Sequence, residues 1–198
     1  RALEPYADLV RAESADLATA IPALVRQTPS MIVLADIGVL PQDASDALTG
    51  FVENGGLLVR FAGPRLAAST GEDELVPVRL RGGERQLGGA LSWSEPQRLA
   101  AIPNDSPLAG ITIPDDVTVS RQILAEPSAD LAERTWASLA DGTPIITAAQ
   151  RGAGTIVLFH TTAEATWSNL PISGAFVDML RRVVMLARGG TATADQGA

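Results

Sequence analysis

Residues 31–64, MIVLADIGVLPQDASDALTGFVENGGLLVRFAGP, constrain what this chain can fold into more than any other stretch. The stretch opens with the apolar run Met31–Ala35, bounded by turn signals, as in a strand covered on both faces. Pro41 suits the first turn of a helix. Ala44, Leu48, Phe51 and Val52 then recur at helical spacing, while Asp43, Asp46 and Glu53 lie off their stripe. Asn54-Gly55-Gly56 supplies a left-handed stop. Leu57–Phe61 reads as a second buried strand. Strand, helix and strand with short links imply a right-handed parallel crossover. The expected fold class is therefore α/β, a three-layer sandwich around a mostly parallel sheet.

The flanking sequence extends this frame. Residues 7–13 (ADLVRAE) read as a short strand. Ser14 can cap a helix over 15–27, with Leu17, Ile21, Leu24 and Val25 on one face and Pro22 as a kink or a sign of a late start. From residue 72 the character changes. Prolines, the glycine-rich RGGERQLGG and short β-like runs at 75–80, 90–93 and 117–124 point to a β-rich insertion over 72–134. The clearest alternation is 118–124. Residues 136–139 and 145–149, joined through Asp141-Gly142, form a hairpin pattern. Arg151-Gly152-Ala153-Gly154 turns the chain into the run 155–159. A last helix over 172–187 carries Phe176, Leu180, Val183, Val184 and Ala187 on its apolar face. The expected division is a core in two parts, 1–71 and 135–188, around the insertion, followed by a flexible tail at 189–198. The opening residues read as the end of a helix running into a strand, as in a piece of a longer protein.

Composition excludes several function classes. The formal charge is −8, which gives no electrostatic footprint for nucleic acid. There is no cysteine, so thiolate nucleophiles, disulfides and zinc–thiolate sites are excluded. The acidic residues have no spacing that calls for a metal, and no motif calls for a cofactor. A 46% hydrophobic share with only 4% aromatics implies an aliphatic core.

Ligands of open parallel sheets bind beyond the C-terminal strand ends. Three loops qualify: Asp36-Ile37-Gly38, Phe61-Ala62-Gly63-Pro64-Arg65, and residues 160–164 with the single histidine. Val59-Arg60-Phe61-Ala62-Gly63 and Leu158-Phe159-His160-Thr161-Thr162-Ala163-Glu164 resemble two motifs of class I glutamine amidotransferase-like domains. In that family a nucleophilic Cys sits in the first turn, and a His with a Glu two residues later follows the second strand. By that resemblance Phe61 stands where the Cys belongs and His160 matches the His. Thr162 occupies the Glu position, with Glu164 a displaced candidate. A phenyl ring cannot attack a carbonyl, so the resemblance implies a pseudoenzyme. The strings LADIGVLP, FVENGGLLVRFAGPRLAA and WSNLPISGAFVDMLRR also resemble bacterial membrane proteins of the Bat type (aerotolerance-regulator-like), with a double-transmembrane region ahead of such a domain. That resemblance implies anchorage to the inner membrane through segments outside this chain. It also implies a periplasmic soluble domain and partners among envelope or membrane proteins.

Each candidate residue has a plainer reading. His160 and Glu164 are the catalytic candidates, yet a lone histidine at a strand end is also ordinary hydrogen-bonded structure. Asp36, Gly38, Phe61, Gly63, Arg65 and Trp167 are the ligand-binding candidates. Against that, Asp36 can be a turn residue, Arg65 a surface charge or a partner of Asp36, Gly63 a backbone turn requirement, and Trp167 a packed lid. The preferred expectation is a non-catalytic domain that binds a partner or small ligand. The alternatives are a hydrolase using His160 with Asp36 or Glu164, and a structural assembly module.

Overall fold

The computed structural model describes Val10 and residues 16–69, 74–82, 85–86 and 95–194; side chains at 85–86 and 187–194 are not described. The expected strand at 7–13 lies outside these residues except for Val10, which is in no strand. The β-like run at 90–93 and most of RGGERQLGG also fall outside them.

Helix α1 is Leu17–Val25. Asp16 caps it, its carboxylate accepting from Ala18 N–H at 3.1 Å and from the Thr19 hydroxyl at 2.7 Å. Strand β1, Met31–Ala35, leads to helix α2, Gln42–Glu53, and then to strand β2, Leu57–Phe61. Pro41 sits at the N-cap of α2, one residue before the first turn. Gly55, at φ 101°, makes the left-handed exit that the sequence asks for.

After β2 the chain forms the short helix α3, Pro64–Ala68. The insertion contributes four two-residue strands: β3 Arg85–Gln86, β4 Gln97–Arg98, β5 Thr118–Val119 and β6 Arg121–Gln122. The alternation expected over 118–124 breaks at Ser120. The Trp167 carbonyl accepts both Ser120 N–H and Arg121 N–H, bending the chain so that β5 pairs with β4 and β6 with β3. Helix α4, Leu131–Arg134, closes the insertion. The core resumes with β7 Thr135–Ser138, β8 Pro144–Arg151 and β9 Gly154–Phe159. A 3₁₀ turn at Leu170–Ile172 precedes α5, Gly174–Ala194. The helix therefore runs through residues expected to begin a flexible tail at 189.

The main sheet has the order β1-β2-β9-β8-β7. β1, β2 and β9 are parallel, and β8 runs antiparallel to both of its neighbours, β9 and β7, so that β7 points the same way as β9. The fold is α/β with a mixed sheet rather than a mostly parallel one. The short turn at Gly152 makes a hairpin of β8 and β9, and a hairpin cannot be parallel. Helices cover both faces. Ile21 of α1 and Ala44, Leu48 and Val52 of α2 pack on Ile32, Leu34, Leu58 and Ile156. On the other face Phe176, Met179, Leu180 and Val183 of α5 pack on Leu57, Val59, Val157 and Phe159. All five residues of β2 are buried, as expected. β1 differs from its expectation: Ile32 and Leu34 are buried, but on the other face Val33 is 44% exposed and only Met31 packs against the α5-side core.

Candidate functional site

The loops after β1 and β2 interlock. Asp36 is held at φ 49°, a conformation that aspartate tolerates better than most residues. Its backbone N–H donates to Phe61 C=O at 2.9 Å. Its carboxylate accepts from the N–H groups of Leu66 at 3.0 Å and Arg65 at 3.3 Å. These are first-turn amides of α3, whose own N-cap is Gly63 and offers no side chain. Asp36 thus caps α3 from another loop. Gly63 has extended backbone angles open to any residue, so its expected role in a special turn is corrected. A Cβ there would lie 2.5 Å from the Asp36 carboxyl carbon, so glycine is needed for closeness, not conformation. Gly38 similarly approaches the Arg65 backbone carbonyl. Arg65 meets Asp36 through its backbone N–H, and its side chain is exposed.

Phe61 is 5% exposed at the end of β2. Its ring stacks on Phe159 at 4.8 Å between centroids, and Phe176 closes the cluster at 6.1 and 5.9 Å. The position is occupied by core packing.

His160 follows β9 and is fully buried. Nδ1 lies 2.8 Å from the Ile123 carbonyl, and Nε2 lies 2.9 Å from the Thr147 hydroxyl. A carbonyl can only accept, so Nδ1 carries the proton and the Nε2 lone pair receives the Thr147 O–H. Backbone bonds flank the ring: His160 N–H donates to Ile145 C=O at 2.9 Å, and Ile123 N–H donates to His160 C=O at 2.8 Å. Burial pushes the imidazole pKa down to about 4, only partly offset by the bond to Ile123. The ring is neutral, its lone pair is taken, and solvent does not reach it. It fastens the β6 end of the insertion to β8 and β9. Asp36 shares no bonding partner with it. Glu164 is exposed, its N–H donating to the Thr162 hydroxyl in a local turn at 3.3 Å. Trp167 is 4% exposed and packs with Ala62, Leu66, Ile123 and Leu158; the Arg121 guanidinium lies 6.0 Å from its ring centroid.

The structure therefore brings Asp36, Gly38 and Arg65 together, along an open cleft of about 440 Å³ shared with Leu17, Val39 and Ser69. It places Phe61, His160 and Trp167 in packed interior. Two features escaped the sequence reading. One is Arg60, 1% exposed, whose guanidinium donates to Ile37 C=O at 2.7 Å and Leu75 C=O at 3.2 Å. An arginine inside the run LLVRF is the visible signal for it, since a buried charge demands partners. The other is a larger groove of about 850 Å³ between α3 and the insertion. Leu66, Ala67, Val76, Val78 and Leu80 line it, together with Glu74, Arg79, Glu126, Asp130 and Arg134. Arg134 pairs with Asp130 at 2.6 Å and bonds the Pro77 carbonyl. Glu74 is tied to Arg151 at 2.8 Å, and Arg151 also reaches Glu53 at 3.2 Å.

No family model matches the chain, and no curated protein matches it. Solved structures share the fold. A cytoplasmic protein from Salmonella typhimurium aligns with TM-score 0.62 and 16% identity, covering 89% of this chain and 76% of that one. A second cytoplasmic protein from Salmonella typhimurium LT2 gives 0.57 and 14%, covering 80% and 71%. A ThuA-like protein from Bacteroides uniformis gives 0.54 and 14%, covering 88% and 75%. At these identities the likeness concerns the fold alone. The expected membership among amidotransferase-like domains of Bat-type membrane proteins is corrected. No family model supports it, and the matched structures include two named as cytoplasmic rather than membrane fragments. The membrane anchorage and periplasmic placement rested on that resemblance and fall with it. Among the described residues no helix is long and apolar enough to cross a membrane.

Proposed function

We propose that this chain is a non-catalytic binding module that takes a partner segment or small ligand in the groove between α3 and the insertion. The observation that carries the reading is the state of His160. A base must offer a reachable lone pair to its substrate; this one is buried, neutral and bonded at both nitrogens. The neighbouring position is filled by the Phe61 ring. The 850 Å³ groove combines apolar residues, Leu66, Ala67, Val76, Val78 and Leu80, with charged groups from Glu74, Arg79, Glu126, Asp130 and Arg134 that could orient a ligand.

The test is a ligand-observed NMR screen of short peptides and small polar molecules. Binding should be lost in Glu126→Arg, on the exposed groove rim, and retained in Arg65→Ala, in the separate cleft. Hits that Arg65→Ala abolishes and Glu126→Arg leaves intact would move the site to the strand ends. Hydrolysis of an amide or ester that disappears in His160→Ala would overturn the non-catalytic reading.

A further inference from the structure

The groove between α3 and the insertion holds its polar groups in one sense. Two hydroxyls line it, Ser69 at the end of α3 and Ser128 on the insertion. Ser69 Oγ lies 2.6 Å from Leu66 C=O, and Ser128 Oγ lies 2.6 Å from a carboxylate oxygen of Asp130. Carbonyl and carboxylate oxygens only accept, so both hydroxyl protons are already donated. What each hydroxyl still offers is its lone pairs. Arg134 likewise directs N–H groups to the second Asp130 oxygen at 2.6 Å and to Pro77 C=O.

The charges follow the same pattern. Asp130 is matched by Arg134, and Glu74 by Arg151 at 2.8 Å. Arg79 is engaged as well. Glu126 stands apart: it is exposed on the rim, and its carboxylate has no ion-pair partner among the described residues. The hydrogen-bonding capacity left in the groove is thus mainly that of acceptors, with one unmatched negative charge. Around them the lining is aliphatic.

Such a lining calls for a donor-rich cation on an aliphatic body. We propose that the groove takes a small aliphatic amine in its ammonium form, with the head by Glu126 and the Ser128 oxygen and the chain along the apolar lining. An alkylammonium head carries three donors and no acceptor, so it matches what the groove leaves open. An alcohol brings one donor and no charge. A carboxylate brings only acceptors and meets the Glu126 charge. The volume of about 850 Å³ lies in the range of small-molecule sites. The formal charge of −8 draws cations toward the surface and holds anions off. The inference rests on the groove reading above and narrows it to one ligand class.

Three probes that differ only in the head group, hexylammonium, hexanol and hexanoate, test this through the amide chemical shifts of the 198-residue chain at neutral pH and low salt. Hexylammonium should shift the Leu66, Leu80 and Glu126 amides. It should bind about fivefold more tightly than hexanol, the top of the range for one exposed ion pair, with hexanoate weakest. Glu126→Gln should bring hexylammonium close to hexanol and leave hexanol unchanged. Equal binding of the three probes, or a preference undiminished in Glu126→Gln, overturns the inference and leaves the groove a binding site of another class. No groove shift with hexylammonium also overturns it. Shifts at Ile37, Gly38 and Arg65 in place of the groove overturn both this inference and the reading it rests on. A capped peptide, acetyl-SVKVS-amide, that binds at least roughly tenfold tighter than hexylammonium overturns the small-amine assignment and gives the groove to a lysine-bearing protein segment.

Discussion

The sheet end after β2 and β9 and the groove beside α3 are near neighbours with opposite character. Ala62, Leu66 and Leu158 pack in one cluster that separates them. At the sheet end three phenyl rings pack together and the buried histidine has both ring nitrogens bonded. In the groove five charged side chains rim an apolar floor. The strand-end rule says where a site can form, not that one has. Here the residues that most look like chemistry hold the insertion down, and the space for a ligand lies one element away. The contrast can be broken by showing that the sheet end is reactive, or sharpened by showing that its residues act on stability alone.

The largest effect should come from Phe61. Phe61→Ala removes a ring stacked on Phe159 and flanked by Phe176, and should cost about 3–5 kcal/mol in urea unfolding. Phe61→Cys sharpens the comparison by placing a thiol where the motif resemblance would want one. That thiol should resist modification in the native state and support no amide hydrolysis, because the Nε2 lone pair of His160 is already taken by Thr147.

His160 gives the next effect, and pH reveals it. Its folded pKa of about 4 lies below the unfolded value of about 6.5. Between those values the unfolded chain binds the extra proton, so stability rises with pH through that window. Above about 6.5 both states are neutral and the contribution is flat. Falling from pH 6.5 to 4 should cost about 3 kcal/mol on top of the carboxylate titrations. His160→Gln should remove that slope while leaving the carboxylate part. Equal slopes in wild type and variant would mean that the ring is not desolvated, and the closed sheet end would lose its main support.

Much of the frame was legible because it depends on local pattern. β1 and β2 fall at the residues the apolar runs predict, and Ala44, Leu48 and Val52 are the buried stripe of α2. What escaped depends on neighbours distant in sequence. Whether Val33 is covered depends on how far α5 reaches across the sheet, which no window around β1 encodes. β9 joins the parallel set only because its partner is β2, about a hundred residues earlier in the chain. At the site, Gly63 is glycine because of closeness to Asp36 and not because of a turn, and that neighbour comes from another loop. His160 was legible as important, but its role required knowing that Ile123 and Thr147 meet it. The groove was not legible, because its two walls come from segments some fifty residues apart that carry no shared motif.

Asp36 gives the smallest effect and tests the boundary between the two regions. Its carboxylate caps α3, and α3 forms one wall of the groove. Asp36→Ala leaves the Leu66 and Arg65 amides without their acceptor and should cost about 1 kcal/mol, the usual loss for a helix cap. Asp36→Asn keeps an acceptor oxygen and should recover most of it. Neither change touches the Phe61 cluster or His160, so the pH slope between 4 and 6.5 should be the same as in wild type. If α3 loosens at its N-terminus, ligand binding in the groove should weaken in Asp36→Ala and return in Asp36→Asn, in parallel with stability. A ligand whose affinity falls equally in both variants would instead be contacting the Asp36 charge itself. That result would shift the binding reading from the groove to the cleft that Asp36 shares with Gly38 and Arg65.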